Sequence, residues 1–286
     1  MGKRTVTEVI EGQHTRDGAG VQLKRMFSRE KAQLMDPFLM LDSFDSLDAN
    51  DYLRGFPWHP HRGIETVTYL ISGEIEHQDS LGNRGKIQPG SCQWMSAGSG
   101  ILHQEMPQES DRMLGVQLWV NLPKDRKMSK PAYRDITSED VKEVSLGKAG
   151  SIRIIAGQYS GVSGPVVDIS AAPSFFDLEL NENASFRLEN EEETLFFFVI
   201  DGEIVIDGQS YEKRTGMLMS QGNYVDLSTK GEKGRALVFS GRRLNEPIAW
   251  GGPIVMNTKE ELDQAFKDLE EGTFIKDKKP TMNEGV

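Results

Sequence analysis

The chain has 286 residues, of which 37% are hydrophobic and 27% charged, a composition typical of a soluble globular protein with about two domains. Its 44 acidic residues outnumber its 33 basic residues, so the formal net charge is -11. Such a surface repels phosphate backbones and anionic lipid, so we expect neither direct nucleic-acid binding nor a membrane partner.

The expected cellular compartment is inferred from sequence features that are absent. No apolar run is long enough to span a bilayer, and residues 1–6 carry positive charge without the apolar run of a secretory signal. Cys92 is the single cysteine, so no internal disulfide can form. We therefore expect a cytoplasmic protein in which Cys92 is a small packed residue.

Short strand-like runs follow one another from residue 21 onward. They cover residues 21–27, 38–41, 64–75 and 86–87. Apolar and β-branched residues dominate these runs, and glycine and proline separate them. The pattern predicts a β-sandwich or β-barrel, and in a jelly-roll barrel the side chains of facing strands meet in the interior.

Potential metal ligands occur as two pairs in this region. His59 and His61 are separated by one residue, as are His103 and Glu105, and in an extended strand such residues point to one face. Imidazole and carboxylate together favour a first-row transition metal with about two open positions. The alternative is ordinary half-buried histidines bonded to carbonyls. However, these three and His77 are four of the five histidines in the chain, which favours one shared site.

The second half of the chain is again rich in strands. Residues 123–150 are charged and lack apolar rhythm, which predicts a connector with at most a short helix. The strand-like runs that follow are residues 174–180, 194–200, 203–206 and 236–239. They echo the first half but contain no histidine, so this domain cannot repeat the metal site and we expect a structural role.

A helix is predicted after Asn257. Thr258 and Glu261 have the spacing of a capping box. The apolar stripe that predicts a packing face comprises Leu262, Ala265, Phe266 and Leu269. Gly272 is a natural end for this helix, and the polar tail from Lys276 is expected to be loose.

Several long stretches, in this order, resemble the pirin family of the cupin superfamily. They are FPWHPHRGIETVTY at 56–69, HQDS at 77–80, PG at 89–90, QWMSAGSGILHQEMP at 93–107, QLWVNL at 117–122 and GPIVMNT at 252–258. The resemblance implies an all-β fold of two tandem cupin-type jelly-roll β-barrels with a C-terminal α-helix. It divides the chain into an N-terminal metal-binding domain, residues 1–130, and a C-terminal domain without metal ligands, residues 145–286.

Pirins hold iron in the N-terminal domain through three histidines and a glutamate. The resemblance places these ligands on His59, His61, His103 and Glu105, with one Fe(II) ion per chain and other first-row divalent metals as alternatives. Cupins outside this family often use a glutamate four residues after the second histidine, which here is Glu65. Spacing alone leaves both glutamates open as ligands. The resemblance favours Glu105 and places Glu65 in the surroundings of the ligands.

Two further residues near these ligands are open to interpretation. His77 either faces the cavity or is a buried histidine bonded to a carbonyl. Trp58 stands where the family often has aspartate before the first histidine. This difference leaves the ligands unchanged and is expected to alter the mouth of the pocket.

The resemblance implies an Fe(II)-dependent dioxygenase similar to quercetin 2,3-dioxygenase, acting on a flavonol such as quercetin. In such an enzyme Glu105 is the catalytic proton acceptor, besides being a metal ligand. The alternative is a non-enzymatic, iron-dependent regulator that acts through protein partners, as a transcriptional co-regulator or a modulator of a metabolic enzyme. Both functions need the same site, and for both we expect a monomer.

Overall fold

The computed structural model describes residues 2–166 and 170–277. Within them the chain forms 25 strands and two α-helices. The strands up to residue 136 are β1 (Val6–Ile10), β2 (Gln13–Asp17), β3 (Val21–Phe27), β4 (Phe38–Ser46), β5 (Phe56–His61), β6 (Ile64–Ser72), β7 (Glu74–Asp79), β8 (Arg84–Ile87), β9 (Cys92–Ser96), β10 (Ile101–Gln108), β11 (Met113–Asn121) and β12 (Ala132–Ile136).

The remaining strands are β13 (Lys142–Ser145), β14 (Gly150–Ala156), β15 (Gln158–Tyr159), β16 (Val162–Ser163), β17 (Ser174–Leu180), β18 (Ser185–Glu189), β19 (Thr194–Ile206), β20 (Gln209–Glu212), β21 (Gly216–Met219), β22 (Tyr224–Ser228), β23 (Gly234–Gly241), β24 (Ala249–Gly251) and β25 (Ile254–Met256). The helices are α1 (Ala32–Met35) and α2 (Lys259–Glu270), with short 3₁₀ turns at Arg29–Lys31, Ala49–Asp51, Lys124–Arg126 and Gly147–Ala149. This mostly β architecture confirms the predicted fold class. Neither α-helix among the described residues has the length and hydropathy that crossing a bilayer requires.

Two facing sheets build the N-terminal barrel. One has seven strands in the order β12-β9-β6-β11-β4-β3-β2, and the other has four in the order β5-β10-β7-β8. Strand β10 alternates strictly between buried and half-buried positions, as expected for a strand with one face toward an interior. Its inward face carries His103 and Glu105, so this part of the barrel interior is polar.

The C-terminal barrel is built from a branched ten-stranded sheet in which the long strand β19 belongs to both arms. Its interior is filled with apolar side chains such as Leu178, Phe197 and Ile204. A second apolar cluster runs between the two barrels, where Tyr69 of β6 packs edge-on against Phe175 of β17 with ring centroids 5.4 Å apart. The two barrels therefore share a core.

The connector between the barrels differs from its prediction. Residues 123–150 contain β12, which pairs with β9, and β13, which pairs with β14. The prediction of a connector with at most a short helix is therefore wrong. Both strands lie at sheet edges and leave much of their surface in solvent, so they lack the apolar rhythm by which a strand is recognised in a sequence.

The ends of the described chain cross over between the barrels. Strand β1 pairs with β21 of the C-terminal sheet. In the other direction, β24, β25 and α2 pack toward the N-terminal barrel, where Leu102 of β10 belongs to the same apolar cluster as Leu262 and Ala265 of the helix. Each barrel is thus completed by a segment from the far end of the chain.

Helix α2 has the predicted start and end. Thr258 accepts a hydrogen bond from the amide of Glu261, and the Glu261 side chain accepts one from the amide of Thr258. Gly272 follows the helix with φ +68°, a conformation that glycine adopts without strain. Of the four side chains in the predicted apolar stripe, that of Phe266 is exposed, with a relative solvent accessibility of 38%. The predicted loose tail lies outside the described residues from 278 onward.

Candidate metal centre

The two predicted ligand pairs meet on neighbouring strands. Strands β5 and β10 are antiparallel, with His59 opposite His103 and His61 opposite Ile101. Directly opposite residues point to the same face of a sheet. One ligand nitrogen from each of His59, His61 and His103 therefore lies within 4.8 Å of the others, which is close enough for the three to hold a metal ion together.

The surroundings keep two of these rings neutral. His61 and His103 are each 1% exposed, and burial lowers the pKa of both well below the ordinary histidine value, with the neighbouring imidazoles lowering it further. His59 is half-buried and opens toward solvent. A neutral imidazole keeps a nitrogen lone pair, which is the form that ligates metals.

Hydrogen bonds orient two of the rings. Nδ1 of His59 donates to the carbonyl of Pro57 at 2.9 Å, and Nδ1 of His61 donates to the carbonyl of Pro253 at 3.2 Å. A carbonyl can only accept, so the proton is on Nδ1 and the lone pair is on Nε2. Metal-ligating histidines usually have such a partner on the other ring nitrogen.

Several buried nitrogens of the cluster have no partner. Within the described residues, Nε2 of His61 and both ring nitrogens of His103 make no hydrogen bond. Leaving a buried polar atom unpaired costs roughly 1–3 kcal/mol, and a metal ion would satisfy the one lone pair of each ring. The residues present therefore fit a transition metal, for which imidazole is a preferred ligand.

Glu105 is close to the histidines but is held by other groups. Its Oε1 accepts from the Thr68 hydroxyl at 2.8 Å and its Oε2 from the Gln117 amide at 2.7 Å. Oε2 also lies 4.0 Å from Nε2 of His103. A carboxylate oxygen has two lone pairs, so Oε2 can keep the bond from Gln117 and also face an ion. Whether Glu105 is a ligand stays a prediction.

Glu65 has different surroundings. It is buried, and its Oε2 accepts from the indole nitrogen of Trp94 at 3.1 Å. Burial raises the pKa of Glu65 to about 7. The described side-chain hydrogen bonds of Glu65 are thus with strand β9, and Arg134 of β12 interacts with it electrostatically. No described contact joins it to the histidine rings.

His77 lies opposite Glu105 on the neighbouring strand β7, so it shares the interior face, but the prediction that it bonds to a carbonyl is wrong. It is buried, and its ring bonds to the Tyr133 hydroxyl and to the carboxylate of Asp135, 3.1 Å from Nε2. Its partners are therefore side chains of the edge strand β12 and not a backbone carbonyl. Trp58 is 49% exposed and adjoins Pro57, which lines the cleft described next.

A cleft of about 600 Å³ opens beside the histidines, within the roughly 300–1,000 Å³ usual for ligand pockets. His59 and His61 lie at one wall, and Gln117 also lines the cleft. Trp119 and Trp250 form an aromatic wall, with stacked rings whose centroids are 5.8 Å apart. The cleft can therefore hold a planar aromatic molecule against the histidine cluster.

Sequence reasoning did not predict the contribution of the C-terminal segment to this cleft. Trp250, Gly252 and Pro253 line it, and the carbonyl of Pro253 orients His61. The stretch 252–258 and the stretch 117–122, which contains Gln117 and Trp119, both stood out in the sequence. Nothing in their composition assigned them a place at the metal centre.

Comparison with known proteins gives consistent matches. The family model described as Pirin matches residues 20–120, and that of the Pirin C-terminal cupin domain matches residues 175–275. A "Pirin-like protein" of Caulobacter vibrioides is 40% identical over 277 residues, covering 96% of this chain and all of that one. "Pirin" of Rattus norvegicus is 34% identical over 93% of this chain and 92% of its own.

A solved structure extends these matches to the whole fold. The crystal structure of a quercetin 2,3-dioxygenase from Acinetobacter baumannii has a TM-score of 0.88 and 32% sequence identity, and the match covers 96% of this chain and 99% of that one. The tandem cupin architecture expected from the sequence is thereby confirmed.

Proposed function

The chain belongs to the pirin family, and on this premise we propose that it is a metal-dependent dioxygenase of the quercetin 2,3-dioxygenase type, acting on a flavonol-like substrate. One observation carries the proposal. Three imidazoles lie together beside an aromatic-lined cleft, and two of them, His61 and His103, have buried nitrogens without a hydrogen-bond partner among the described residues.

The metal is proposed to be a single first-row divalent ion, with iron as the first choice, held by His59, His61 and His103 together with Glu105. Such an ion, when bound, supplies charge stabilisation and electron transfer for the reaction of a flavonol with O₂. Three imidazoles and one carboxylate leave positions for substrate oxygens. The second barrel has no histidine, so one ion per chain is expected.

Glu105 is proposed to take the proton from the substrate hydroxyl. A general base needs to be within hydrogen-bond reach of that proton, directly or through one water. Gln117 both donates to Glu105 and lines the cleft, so the carboxylate lies directly behind the cleft wall. Thr68 and Gln117 fix its orientation by donating to separate oxygens.

The aromatic wall is proposed to orient the substrate. The stacked indoles of Trp119 and Trp250 offer an apolar surface to a flat ring system. Trp119 also contacts His61 edge-on, with ring centroids 5.1 Å apart. A flat substrate on this wall would have its edge, which carries the adjacent oxygens of a flavonol, toward the histidines.

The test is anaerobic reconstitution with Fe(II), followed by addition of quercetin and O₂, with oxygen uptake and products measured. We expect carbon monoxide and a ring-opened ester from the wild type, and a loss of turnover in Glu105→Gln. Glu109→Gln is the matched control, because Glu109 is exposed. Turnover no faster than with free Fe(II) would contradict the proposal and favour the regulatory alternative.

A further inference from the structure

Two segments from distant parts of the chain run side by side at the metal centre. Residues 61–63 include the end of strand β5, and residues 253–255 include the start of β25. A parallel bridge joins Arg62 to Ile254, and the amide of Val255 donates to the carbonyl of Arg62 at 3.1 Å. The hydrogen bond from His61 to the Pro253 carbonyl belongs to this same contact.

Lys127 fastens the two segments together. It is 1% exposed, and its Nζ donates to the carbonyls of Gly63 and Val255 at 2.9 Å each and to Oδ1 of Asn121 at 2.6 Å. The three donors of the ammonium group match three acceptors. One carbonyl comes from each segment, in each case two residues beyond the His61 and Pro253 contact.

Space at this contact is tightly filled. A Cβ atom added to Gly63 would lie 2.0 Å from the carbonyl oxygen of Val255, so only glycine allows the segments to approach this closely. The close approach brings the Pro253 carbonyl within reach of the His61 ring.

An ion pair provides a second fastening. Nη1 of Arg62 donates to Oδ2 of Asp268 on α2 at 2.8 Å, and its Nη2 donates to the carbonyl of Phe274 at 2.9 Å. The guanidinium also lies over the Phe274 ring, 4.2 Å from its centroid. Arg62 is directly adjacent to His61, so the helix is anchored beside a proposed ligand.

We propose that residues 253–255 are a positioning element for the metal site, with Lys127 and the Arg62–Asp268 pair as its fastenings. The segment holds the Pro253 carbonyl against Nδ1 of His61, which keeps the lone pair on Nε2 and the ring turned toward His59 and His103. The C-terminal part of the chain thereby contributes to metal binding without supplying a ligand. This inference rests on the proposed function, in which His61 is a ligand.

The experiment compares Lys127→Met with Lys130→Met in the full-length protein. Lys130 is exposed and close in the chain, which makes it a matched control. Folding is checked by circular dichroism, and Co(II) affinity is measured by titration. Loss of the partner of a ligating histidine typically weakens metal binding about 10- to 100-fold, and we expect a decrease in Co(II) affinity of this order in Lys127→Met because the Pro253 carbonyl is no longer held against His61. Lys130→Met should match the wild type.

A spectroscopic measurement separates positioning from a general structural role. In the Co(II) protein, the exchangeable Nδ1 proton of a ligating histidine gives a strongly shifted NMR signal. The signal of His61 is the one missing in His61→Ala when excess Co(II) saturates this weaker-binding variant. We expect this signal to be lost, or to exchange rapidly with solvent, in Lys127→Met even when saturated with Co(II).

If Lys127→Met does not fold, Asp268→Asn decides the same question through the second fastening. Its control is Asp263→Asn, because Asp263 lies on the same helix in an exposed ion pair with Lys259. Co(II) affinity within twofold of the control, with an unchanged His61 signal, would overturn the inference.

The same set of variants distinguishes a failure of this inference from a failure of the proposed function. If His61→Ala keeps full Co(II) affinity, the ligand assignment fails and the proposed function fails with it. If His61→Ala binds Co(II) more weakly while the folded variants of both fastenings keep wild-type affinity, the positioning role alone is wrong.

Discussion

At the scale of single residues, the metal centre combines ligands close in sequence with partners that are distant. The separation of His59 from His61 by one residue predicts a shared face, and the structure pairs them with His103. That His61 is oriented by Pro253 could not be predicted, because the two residues are 192 positions apart and a backbone carbonyl has no side-chain signal. Likewise, the partners of His77 depend on an edge strand that the sequence did not indicate.

The proposed ligands predict the metal content. His59→Ala and His103→Ala should each lose the metal and keep the fold, because each removes an imidazole from a cluster of three. Metal analysis of the purified proteins should give close to one ion per chain for the wild type. His14→Ala is the control, since His14 is exposed on β2. Two ions per chain, or full retention in both variants, would be incompatible with the assignment.

Glu65 predicts a pH dependence. Burial raises its pKa to about 7 from the ordinary 4.5, so between these values the folded state binds more protons than the unfolded state. The free energy of unfolding then falls as pH rises from 4.5 through 7. Glutamine does not ionise, so Glu65→Gln removes this loss of stability. At pH 8 we expect the free energy of unfolding of Glu65→Gln to exceed that of the wild type by on the order of 3 kcal/mol.

Urea unfolding of the metal-free proteins at pH 5 and pH 8 measures this difference, with the exposed Glu109→Gln as control. The increase in the free energy of unfolding caused by Glu65→Gln should be on the order of 3 kcal/mol at pH 8 and about 1 kcal/mol or less at pH 5. The metal content of Glu65→Gln should equal that of the wild type. Loss of the metal in Glu65→Gln alone would instead support Glu65 as the carboxylate ligand.

At the scale of secondary structure, elements with a local signal were predictable and edge strands were not. The capping box lies within the four consecutive residues from Thr258 to Glu261, and α2 begins directly after Thr258. Strand β12 exists because β9 offers it a pairing edge, and that edge lies some 40 residues earlier in the chain. Its five residues are mostly polar or half-exposed, so the local sequence does not distinguish it from a connector.

The helix cap gives a stability prediction. Thr258→Ala removes the side-chain oxygen that accepts from the Glu261 amide at 3.2 Å, and we expect a loss of about 1 kcal/mol in the free energy of unfolding. Thr258→Ser keeps the oxygen and should lose much less. Chemical denaturation of both variants measures the effect, and equal losses would show that the cap hydrogen bond is not responsible.

At the scale of the whole molecule, the two barrels are interlocked by their terminal segments. Strand β1 covers the edge of the C-terminal sheet, and covered edges protect a sheet against pairing with other chains. Arg4, just before β1, is fully buried and donates to the carbonyls of Asn190, Glu192 and Ser220. Tandem barrels are predictable from the repeated strand pattern, but no local feature indicates that they exchange segments.

Arg4 tests this interlocking. Arg4→Ala leaves three carbonyls without their donor, and we expect the free energy of unfolding to fall by on the order of 3 kcal/mol. Arg16→Ala, at an exposed position on β2, should change it little. Urea unfolding monitored by tryptophan fluorescence measures both. An Arg4→Ala variant as stable as Arg16→Ala would mean that β1 is held by its strand pairing alone.

The contact between His61 and Pro253 also has a consequence for biosynthesis. The ribosome makes the three histidines early, whereas the carbonyl that orients His61 is added 192 residues after it. At about 5–20 residues per second, this delay is roughly 10–40 s. During translation, the nascent N-terminal barrel therefore presents its histidines without the segment that aligns them, and correct metal loading is expected to follow synthesis of the C-terminal segment.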